Sequence, residues 1–411
     1  MTTPTIRTLF LTRNLPYPIM GGGTLRNWQN INIMMKFGEV AVFAVCQWTE
    51  KNISLPGVTL VEHCNVANLR STREKIERRL WWLRLDGHPD TDYEYAKAAA
   101  QKLEKTLETF QPDIVVIAEA WLYRYIPVVK RYKCKIIFDN HNIEAVLFLE
   151  KKPLGIDFKS KLKAQLQLTR LKHLEGELIH KANQAWVCSQ EDAAILQQYY
   201  GKVAHTHVIP NAVNIDYYQN VRSQKCNLPP ELKSEQQNIL FLGQLSYLPN
   251  IVAVDLLIEQ IYPQLKAIYP NCRLILAGRN PTQKMQAAGQ EDPGIIVTGR
   301  IPDVRPYLAA ASVLVVPLLQ GGGTRLKILE AFAAGCPVIS TAKGAEGLEV
   351  RDGVHLLIRN NVADIVSGIC QLWLDPLLAT KLINSAYQIV KTEYSWEAVE
   401  VRIKTGIRKL Q

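Results

Sequence analysis

The run LVVPLLQGGGTRLKILEAFAAGCPVIS at residues 314–340 gathers glycines, two cations and a carboxylate into one turn and the helix expected after it. Glycines let a backbone come close to a bulky anion, and the first turn of a following helix presents unpaired N–H groups and partial positive charge to it. Gly322, Gly323 and Thr324 form such a turn, and Arg325 and Lys327 add two full positive charges at the same end. Helical spacing puts Leu326, Leu329 and Ala333 on one face, which would pack on a sheet, and Lys327, Glu330, Ala331 and Ala334 on another. Glu330 is then no core residue. It stands roughly one and a half turns behind an anion site, where a carboxylate accepts hydrogen bonds from sugar hydroxyls, as acidic residues do for ribose in dinucleotide folds. The same residues also fit a plain glycine-rich turn carrying a Lys327–Glu330 surface pair.

A second group is Asp139-Asn140-His141-Asn142, just beyond the apolar run 136–138. That is the carboxyl edge of a strand, where open α/β sheets place ligands, so His141 is a candidate ligand contact or else a loop cap. Asp139 and Glu144 fit caps of the following helix equally well. His205 and His207 alternate on what reads as a strand with no third ligand nearby, which makes them structural, and no metal site is expected. The segment 70–85, RSTREKIERRLWWLRL, mixes Arg78 and Arg79 with Trp81 and Trp82, a composition suited to the boundary between lipid headgroups and acyl chains. An amphipathic helix packed on its own domain with a solvated basic face fits it as well.

These groups must be held by elements, and the elements alternate. Short β-branched runs at 8–12, 40–45, 114–117, 136–138 and 185–188 are separated by helical stretches, the first helix starting at about Leu25 after Gly21-Gly22-Gly23-Thr24. From Asn238 the alternation restarts with runs at 239–242, 273–277, 294–298, 312–317 and 337–340 and a helix over 253–268. This is the pattern of a parallel sheet wrapped by helices, made twice. The polar stretch 221–237, with Pro229–Pro230, reads as the linker. A chain of 411 residues is too long for one ordinary core, which agrees with two domains. The word GGGT recurs at 21–24 and 321–324, with Arg26 and Arg325 close behind, and suggests a ligand held between two such domains.

Hydrophobic content of 47% with 21% charged residues is that of a soluble globular protein. No run reaches the roughly 18 apolar residues of a membrane span, and the N-terminus reads as a first strand, not a signal peptide. Eight cysteines without CxxC spacing point to a reducing cytoplasm and away from zinc. A net charge of +10 favours acidic partners such as anionic lipid or phosphorylated small molecules. Nucleic acid is not expected, since no recognition motif with stacking aromatics accompanies the charge.

The ordered motifs carry a family resemblance. Gly21–Gly23 after the first strand, IIFDNHNIEA at 136–145, AWVCSQED at 185–192, VIPNAVNIDYY at 208–218, ILFLGQLSYLPN at 239–250, LILAGRNP at 274–281 and GRIPDVRPYLAAASVLVVP at 299–317 resemble, with the Glu330 segment, the retaining glycosyltransferases of family 4, group 1. The resemblance runs over nearly the whole chain. It implies an α/β protein of GT-B type, with two Rossmann-like doubly wound parallel-sheet domains facing across a cleft. The expected division is an acceptor-side domain at 1–220, the linker at 221–237, a nucleotide-sugar domain at 238–392, and a C-terminal helix at 393–411 packing back on the first domain. It further implies a nucleotide-sugar donor (UDP-, GDP- or ADP-sugar) as substrate, no cofactor or metal, and His141 beside the donor sugar. Donor contacts are expected at Gly22, Gly23, Gly243, Gln244, Gly278, Arg279, Ile301, Gly322, Gly323, Thr324, Leu326 and Glu330.

Two positions depart from the family pattern. A Glu common eight positions before Glu330 is Gly322 here, and an Arg and a Lys common after the first C-domain strand are replaced by Gln244 and by the Tyr247–Asn250 stretch. Arg325 and Lys327 are then the nearest cations for a leaving diphosphate, a role that together with His141 makes them the catalytic candidates. The implied function is hexose transfer to a glycan or lipid-linked acceptor, in the cytoplasm or peripherally on the inner membrane face. A catalytically silent nucleotide-sugar-binding subunit and a nucleotide-sugar epimerase are the alternatives.

Overall fold

The computed structural model describes residues 5–410 except 20, 48–53, 151–156, 202, 204, 224, 230–231, 233–236 and 324. Among the described residues the first sheet contains β1 (Thr8–Thr12), β2 (Val40–Cys46), β3 (Leu60–Asn65), β4 (Ile114–Ala118), β5 (Lys135–Asp139), β6 (Gln184–Val187) and β7 (Thr206–Val208). Their order is β3-β2-β1-β4-β5-β6-β7, parallel throughout. The second sheet contains β8 (Asn238–Leu242), β9 (Arg273–Ala277), β10 (Ile295–Gly299), β11 (Val313–Val316), β12 (Val338–Ser340) and β13 (Leu357–Ile358), in the order β10-β9-β8-β11-β12-β13 and again parallel.

Strands β1, β2, β4, β8 and β11 are buried along their whole length. Helices on both faces of a parallel sheet leave no solvent side, which is why these strands read as unbroken Val, Ile and Leu runs. The edge strand β3, LVEHCN, is largely half-exposed and polar, so it gives no such run and is invisible to that pattern. The helix expected over 253–268 begins at Leu248, with Pro249 in its first turn where a missing N–H is harmless. It passes through a π-helical turn at Leu257–Ile261 before Tyr262–Ile268, and Pro263, which cannot donate to the ladder, sits at that junction.

The chain divides into one unit of residues 1–210 with 400–411 and another of 211–399. The first division thus falls after Pro210, ahead of the 221–237 stretch, because Tyr218 and Val221 are buried in the core of the second unit. Within the last helix, Trp396–Arg408, the first unit takes over at Glu400. There Lys36 Nζ meets Glu400 Oε2 at 2.5 Å and Gln184 Nε2 donates to the Gly406 carbonyl at 2.6 Å. Among the described residues no single helix is long and apolar enough to cross a membrane; one bent pair, Val362–Leu374 with Pro376–Tyr394, passes by length and composition alone.

In each sheet the strand order reverses once, between β1 and β4 and between β8 and β11. The carboxyl ends of the strands at such a reversal are where open α/β sheets bind ligands, because the flanking loops turn away to opposite faces and leave a crevice.

Candidate functional site

In the second unit, the ends of β8 and β9 meet closely. Gly243 N donates to the Ala277 carbonyl at 3.1 Å, and a Cβ on Gly278 would lie 1.7 Å from the Gly243 carbonyl oxygen, so glycine is required there. Beyond the strand ends, Arg279 Nη2 donates to Gln244 Oε1 at 3.0 Å. Buried Asn250, in the first turn of the helix from Leu248, donates through Nδ2 to the Gln244 carbonyl at 2.9 Å. Its Oδ1 accepts from Lys327 Nζ at 3.2 Å. The same ammonium stands 4.2 Å from the centre of the Phe241 ring, and a Cβ on Gly243 would come within 3.0 Å of it. Gly243, Gln244, Gly278, Arg279 and Lys327 are therefore one cluster. Asn250, which sequence reasoning treated only as the place of a missing lysine, is the residue that accepts from Lys327.

Arg325 behaves differently from its expected role. It is the residue before the helix Leu326–Ala334, and its guanidinium turns back into the loop, with Nη1 donating to the Gly322 carbonyl at 2.6 Å and Nη2 to the carbonyls of Gly321 and Lys343. It braces the glycine turn. Gly321, at φ 99°, presses on Pro249, where a Cβ would stand 2.9 Å from the Pro249 Cγ, so the 321–323 loop and the 243–250 loop touch. Gly322 is half-buried and Gly323 exposed, while Thr324 lies outside the described residues. Ile301, in the loop after β10, is half-buried against the core.

The helix itself buries more than the expected stripe. Ile328, Leu329 and Ala331 to Ala334 are all buried, whereas Leu326 is half-buried, so Glu330 has no open polar face around it. Half-buried Glu330 accepts from Tyr218 Oη at 3.0 Å. Burial pushes its carboxyl up to about 7, against the opposing pull of Tyr218 and Lys327. Burial, reinforced by the Arg325 charge, brings the Lys327 ammonium down to about 7. A cation and an anion on this one helix are thus both brought to near neutrality, the kind of perturbation that clusters at functional sites. Tyr218 belongs to the VIPNAVNIDYY motif but carried no role in the sequence reading.

In the first unit, Gly22 and Gly23 open the helix Gly22–Met34, whose entry is fastened by Gly21 N donating to Thr24 Oγ1 at 3.0 Å. A Cβ on Gly23 would lie 3.5 Å from His141 Nδ1. His141 is only 8% exposed, with Nε2 3.4 Å from Asp139 Oδ2 and Nδ1 3.8 Å from Glu119 Oε1. Asp139, at the end of β5, is fully buried and accepts from Arg26 Nε at 2.9 Å and Asn30 Nδ2 at 2.8 Å. Burial alone would raise it, but the Arg26 charge and the contact with His141 outweigh burial and hold it at about 2. Arg26 also donates to the Ile209 carbonyl at 2.6 Å. The arginines that follow the two GGGT words are thus both internal braces.

Asp139 is engaged by Arg26, Asn30 and His141. Glu175, buried on the helix Phe158–Lys181, accepts the N–H groups of Glu144 at 2.8 Å and Ala145 at 3.2 Å and does so from a distance in sequence. The Cys188 thiol donates to the His141 carbonyl at 3.3 Å, so the 140–143 loop is held from below as well.

The 70–85 segment forms the helix Thr72–Arg79, capped by Ser71 and Glu74 and without a buried residue, then a short turn at Trp81–Leu83. Trp81 is buried beside His88, which removes it from any surface contact. Arg78 is half-buried with its guanidinium 5.4 Å from the Tyr93 ring centre, and Arg79 is exposed. Ile76, Leu80, Trp82, Leu83 and Leu85 are exposed apolar residues, Leu83 and Leu85 the most, by 72% and 76%.

Comparison with known proteins matches both halves of the chain. The family described as Glycosyl transferases group 1 matches residues 236–375, and the family described as Glycosyltransferase Family 4 matches residues 66–217. A phosphatidyl-myo-inositol mannosyltransferase of Mycobacterium leprae is 25% identical over 200 residues, which is 47% of this chain and 51% of that protein. A lipopolysaccharide 1,2-N-acetylglucosaminetransferase of Salmonella typhimurium is 25% identical over 223 residues, 50% of this chain and 57% of that protein. The chain thus spans about half the length of the curated relatives it matches. Among solved structures, sucrose-phosphate synthase from Thermosynechococcus elongatus superposes with a TM-score of 0.75 at 17% identity, covering 99% of both chains. Anabaena HepE, in complex with UDP and glucose, superposes with a TM-score of 0.70 at 14% identity, covering 98% of this chain and 99% of that one.

Proposed function

From the membership of this chain in the group 1, family 4 glycosyltransferases, with the GT-B fold, we propose that it transfers a hexose from a nucleotide-sugar to a glycan or lipid-linked acceptor with retention at the anomeric carbon. The observation that carries this is the contact of Lys327 Nζ with Asn250 Oδ1 against Gly243 at the β8/β11 reversal. It supports a diphosphate site whose cation comes from the helix after the glycine turn, in place of the loop after β8.

In this reading the diphosphate lies on the Gly243 and Gly278 backbone, with Lys327, Arg279 and the helix N–H groups as donors. Arg325 serves indirectly, by fixing the glycine loop. Glu330 takes hydroxyls of the nucleotide-sugar in place of its bond from Tyr218. The bond from the anomeric carbon to the diphosphate oxygen breaks, the acceptor oxygen bonds that carbon on the same face, and the acceptor proton passes to the leaving phosphate. No carboxylate base enters, and Lys327 supplies charge that a metal would otherwise provide.

Among its relatives, HepE has been solved with UDP and with UDP-glucose, which makes UDP-glucose the first donor to try. The mannosyltransferase and the lipopolysaccharide transferase act, by name, on a lipid and on a lipid-linked glycan. These names support proposing an acceptor of that kind for this chain, met at the cytoplasmic face of a membrane through Arg79, Trp82, Leu83 and Leu85. The test is binding and transfer with UDP-, GDP- and ADP-sugars against lipid extracts and oligosaccharides. Transfer with retained configuration is expected; binding without any turnover would instead identify a silent donor-binding subunit, and absence of both binding and turnover would refute the nucleotide-sugar reading altogether.

A further inference from the structure

Tyr217 is 42% exposed, yet its ring is fixed in place. It lies in the short turn Asp216–Tyr218 of the second unit, inside the VIPNAVNIDYY motif. The Arg305 guanidinium stacks 3.9 Å from the ring centre, and its Nη1 donates to the Tyr217 carbonyl at 3.3 Å. Arg305 is in turn clamped by Asp303, which accepts from Nε at 2.9 Å and from Nη2 at 2.7 Å. Asp303 Oδ1 also accepts from Tyr217 Oη at 3.3 Å, and the Tyr218 ring stands at 86° to that of Tyr217 with centres 5.2 Å apart. A surface tyrosine ordinarily keeps its rotamer freedom; this one has none left to lose. Arg305 covers one face, and the exposed part leaves ring surface for a ligand. A fixed aromatic ring suits a flat, apolar ligand group, because binding then orders little more than the ligand.

The place of this ring beside the donor cluster follows from Tyr218, whose Oη donates to Glu330 at 3.0 Å. The Glu330 charge is near enough to Tyr217 to add to the rise that burial and Asp303 impose on its phenol, against the pull of Arg305. Lys327 stands three residues before Glu330 on the helix Leu326–Ala334, nearly one turn away. The succession is a cation, a carboxylate one turn on, and an aromatic ring beyond the carboxylate. A nucleotide is built in the same order, with diphosphate, ribose and base in sequence, and the base is its flat, apolar part. Both oxygens of Asp303 are engaged by Arg305 and Tyr217, so what this cluster offers is a ring and not a free carboxylate.

We propose that Tyr217 is the stacking platform for the nucleobase of the donor, with Arg305 and Asp303 as the residues that position it. The assignment rests on the nucleotide-sugar reading, since it takes the diphosphate to lie at Lys327 and the ribose at Glu330. Stacking reads the π-face that every base has. The platform therefore separates nucleotides from other diphosphates without choosing among uracil, guanine and adenine.

The test is calorimetry on the full-length protein with UDP, GDP and ADP, and with methyl β-D-ribofuranoside 5-diphosphate, which keeps the diphosphate and ribose and lacks the base. The wild type is expected to bind at least one of the nucleotides more tightly than the base-free compound by roughly tenfold or more, the range for one base stacked on an aromatic ring. Tyr217→Ala should weaken that nucleotide by roughly the same factor and leave the base-free compound unaltered, whereas Tyr217→Phe, which keeps the ring, should bind as the wild type does. Arg305→Ala, which unpins the ring, should weaken the nucleotide by a smaller factor and again spare the base-free compound. Equal weakening of both compounds by Tyr217→Ala marks a merely structural residue and overturns the platform. Nucleotide binding that is lost in Lys327→Met but unaltered in Tyr217→Ala overturns the platform alone. Failure of all three nucleotides to bind the wild type overturns the nucleotide-sugar reading, and the platform with it.

Discussion

Binding of UDP-glucose should exchange protons with solvent, and the direction should reverse near neutrality. Burial and Arg325 bring Lys327 to about 7, from an ordinary value of 10.5, and burial brings Glu330 up to about 7, from 4.5. At pH 8 roughly nine-tenths of Lys327 is then uncharged, and a diphosphate placed against Nζ restores its charge, so binding takes up roughly 0.9 of a proton there. At that pH Glu330 is already roughly nine-tenths ionised and gives up only about 0.1 when its carboxylate accepts sugar hydroxyls, leaving a net uptake of roughly 0.8. At pH 6 the two exchange parts: Lys327 is already charged, Glu330 is mostly protonated, and binding releases roughly 0.8 of a proton. The diphosphate diester of UDP-glucose has no group of its own titrating in this range. Calorimetry at each pH in two buffers of different ionisation enthalpy gives the proton number from the difference in apparent heat. Lys327→Met should abolish the uptake at pH 8 and spare the release at pH 6, and Glu330→Gln should do the converse. A proton number near zero at both values, or one unaltered by Lys327→Met, refutes the placement of the diphosphate.

Replacing Lys327 by Ala should slow transfer by roughly 10²–10³ with a smaller loss of donor affinity, as for removal of one oxyanion donor, and wild-type turnover should persist in a chelator; near-normal turnover of the variant, or full loss on chelation, places the charge elsewhere. Glu330→Ala should weaken nucleotide-sugar binding by about 1.5–3 kcal/mol in calorimetry with the fold kept, and unchanged affinity would mean that Tyr218 is its only partner. Flotation with liposomes should increase with anionic lipid and fall with salt, and Leu83→Glu with Leu85→Glu should abolish it; equal recovery with neutral vesicles would argue against a membrane surface. His88 is fully buried against Trp121, and burial, partly opposed by Asp90, brings it down to about 4. A base with a depressed folded value contributes its full stability above the unfolded value of 6.5 and loses it as pH falls toward 4, so urea unfolding should give about 2 kcal/mol less at pH 5 than at pH 7 from this residue. His88→Gln should remove that part of the pH dependence, and an unchanged profile refutes it.

Most of the framework was legible because the strands at the centre of each sheet are buried on both faces, and burial on both faces writes itself as a run of β-branched residues. What lacks that signature was missed: β3, exposed and polar at a sheet edge, and β13, two residues long. The start of the helix at Leu248 was also misplaced, since Pro249 reads as a breaker although it is tolerated in a first turn. In the candidate site, positions were legible but roles were not. Arg26 and Arg325 share a place after the same four-residue word and carry the same charge, and both proved to be braces. Arg26 is held by Asp139, and Arg325 by carbonyls of its own loop. The second glycine turn supplies two of those carbonyls at close range, from Gly321 and Gly322. An arginine, with several donors in a rigid fork, satisfies them better than the single ammonium of Lys327 would.

On the proposed reading, that difference decides which cation is left for a diphosphate. Lys327 reaches Asn250 and the Phe241 ring, contacts that position an ammonium but neutralise none of its charge, and its nearest charged neighbours are Arg325 and Glu330 on its own segment. A guanidinium engaged with three carbonyls has little reason to turn toward a diphosphate. An ammonium brought to about 7 by burial does, because the incoming anion restores the charge that burial has made costly. On the proposed reading, the loss of the usual cations at Gln244 and Asn250 and the presence of Lys327 are one change seen from two loops. The contact between Lys327 and Asn250 joins two residues far apart in the chain, and only the folded sheet brings them to one place.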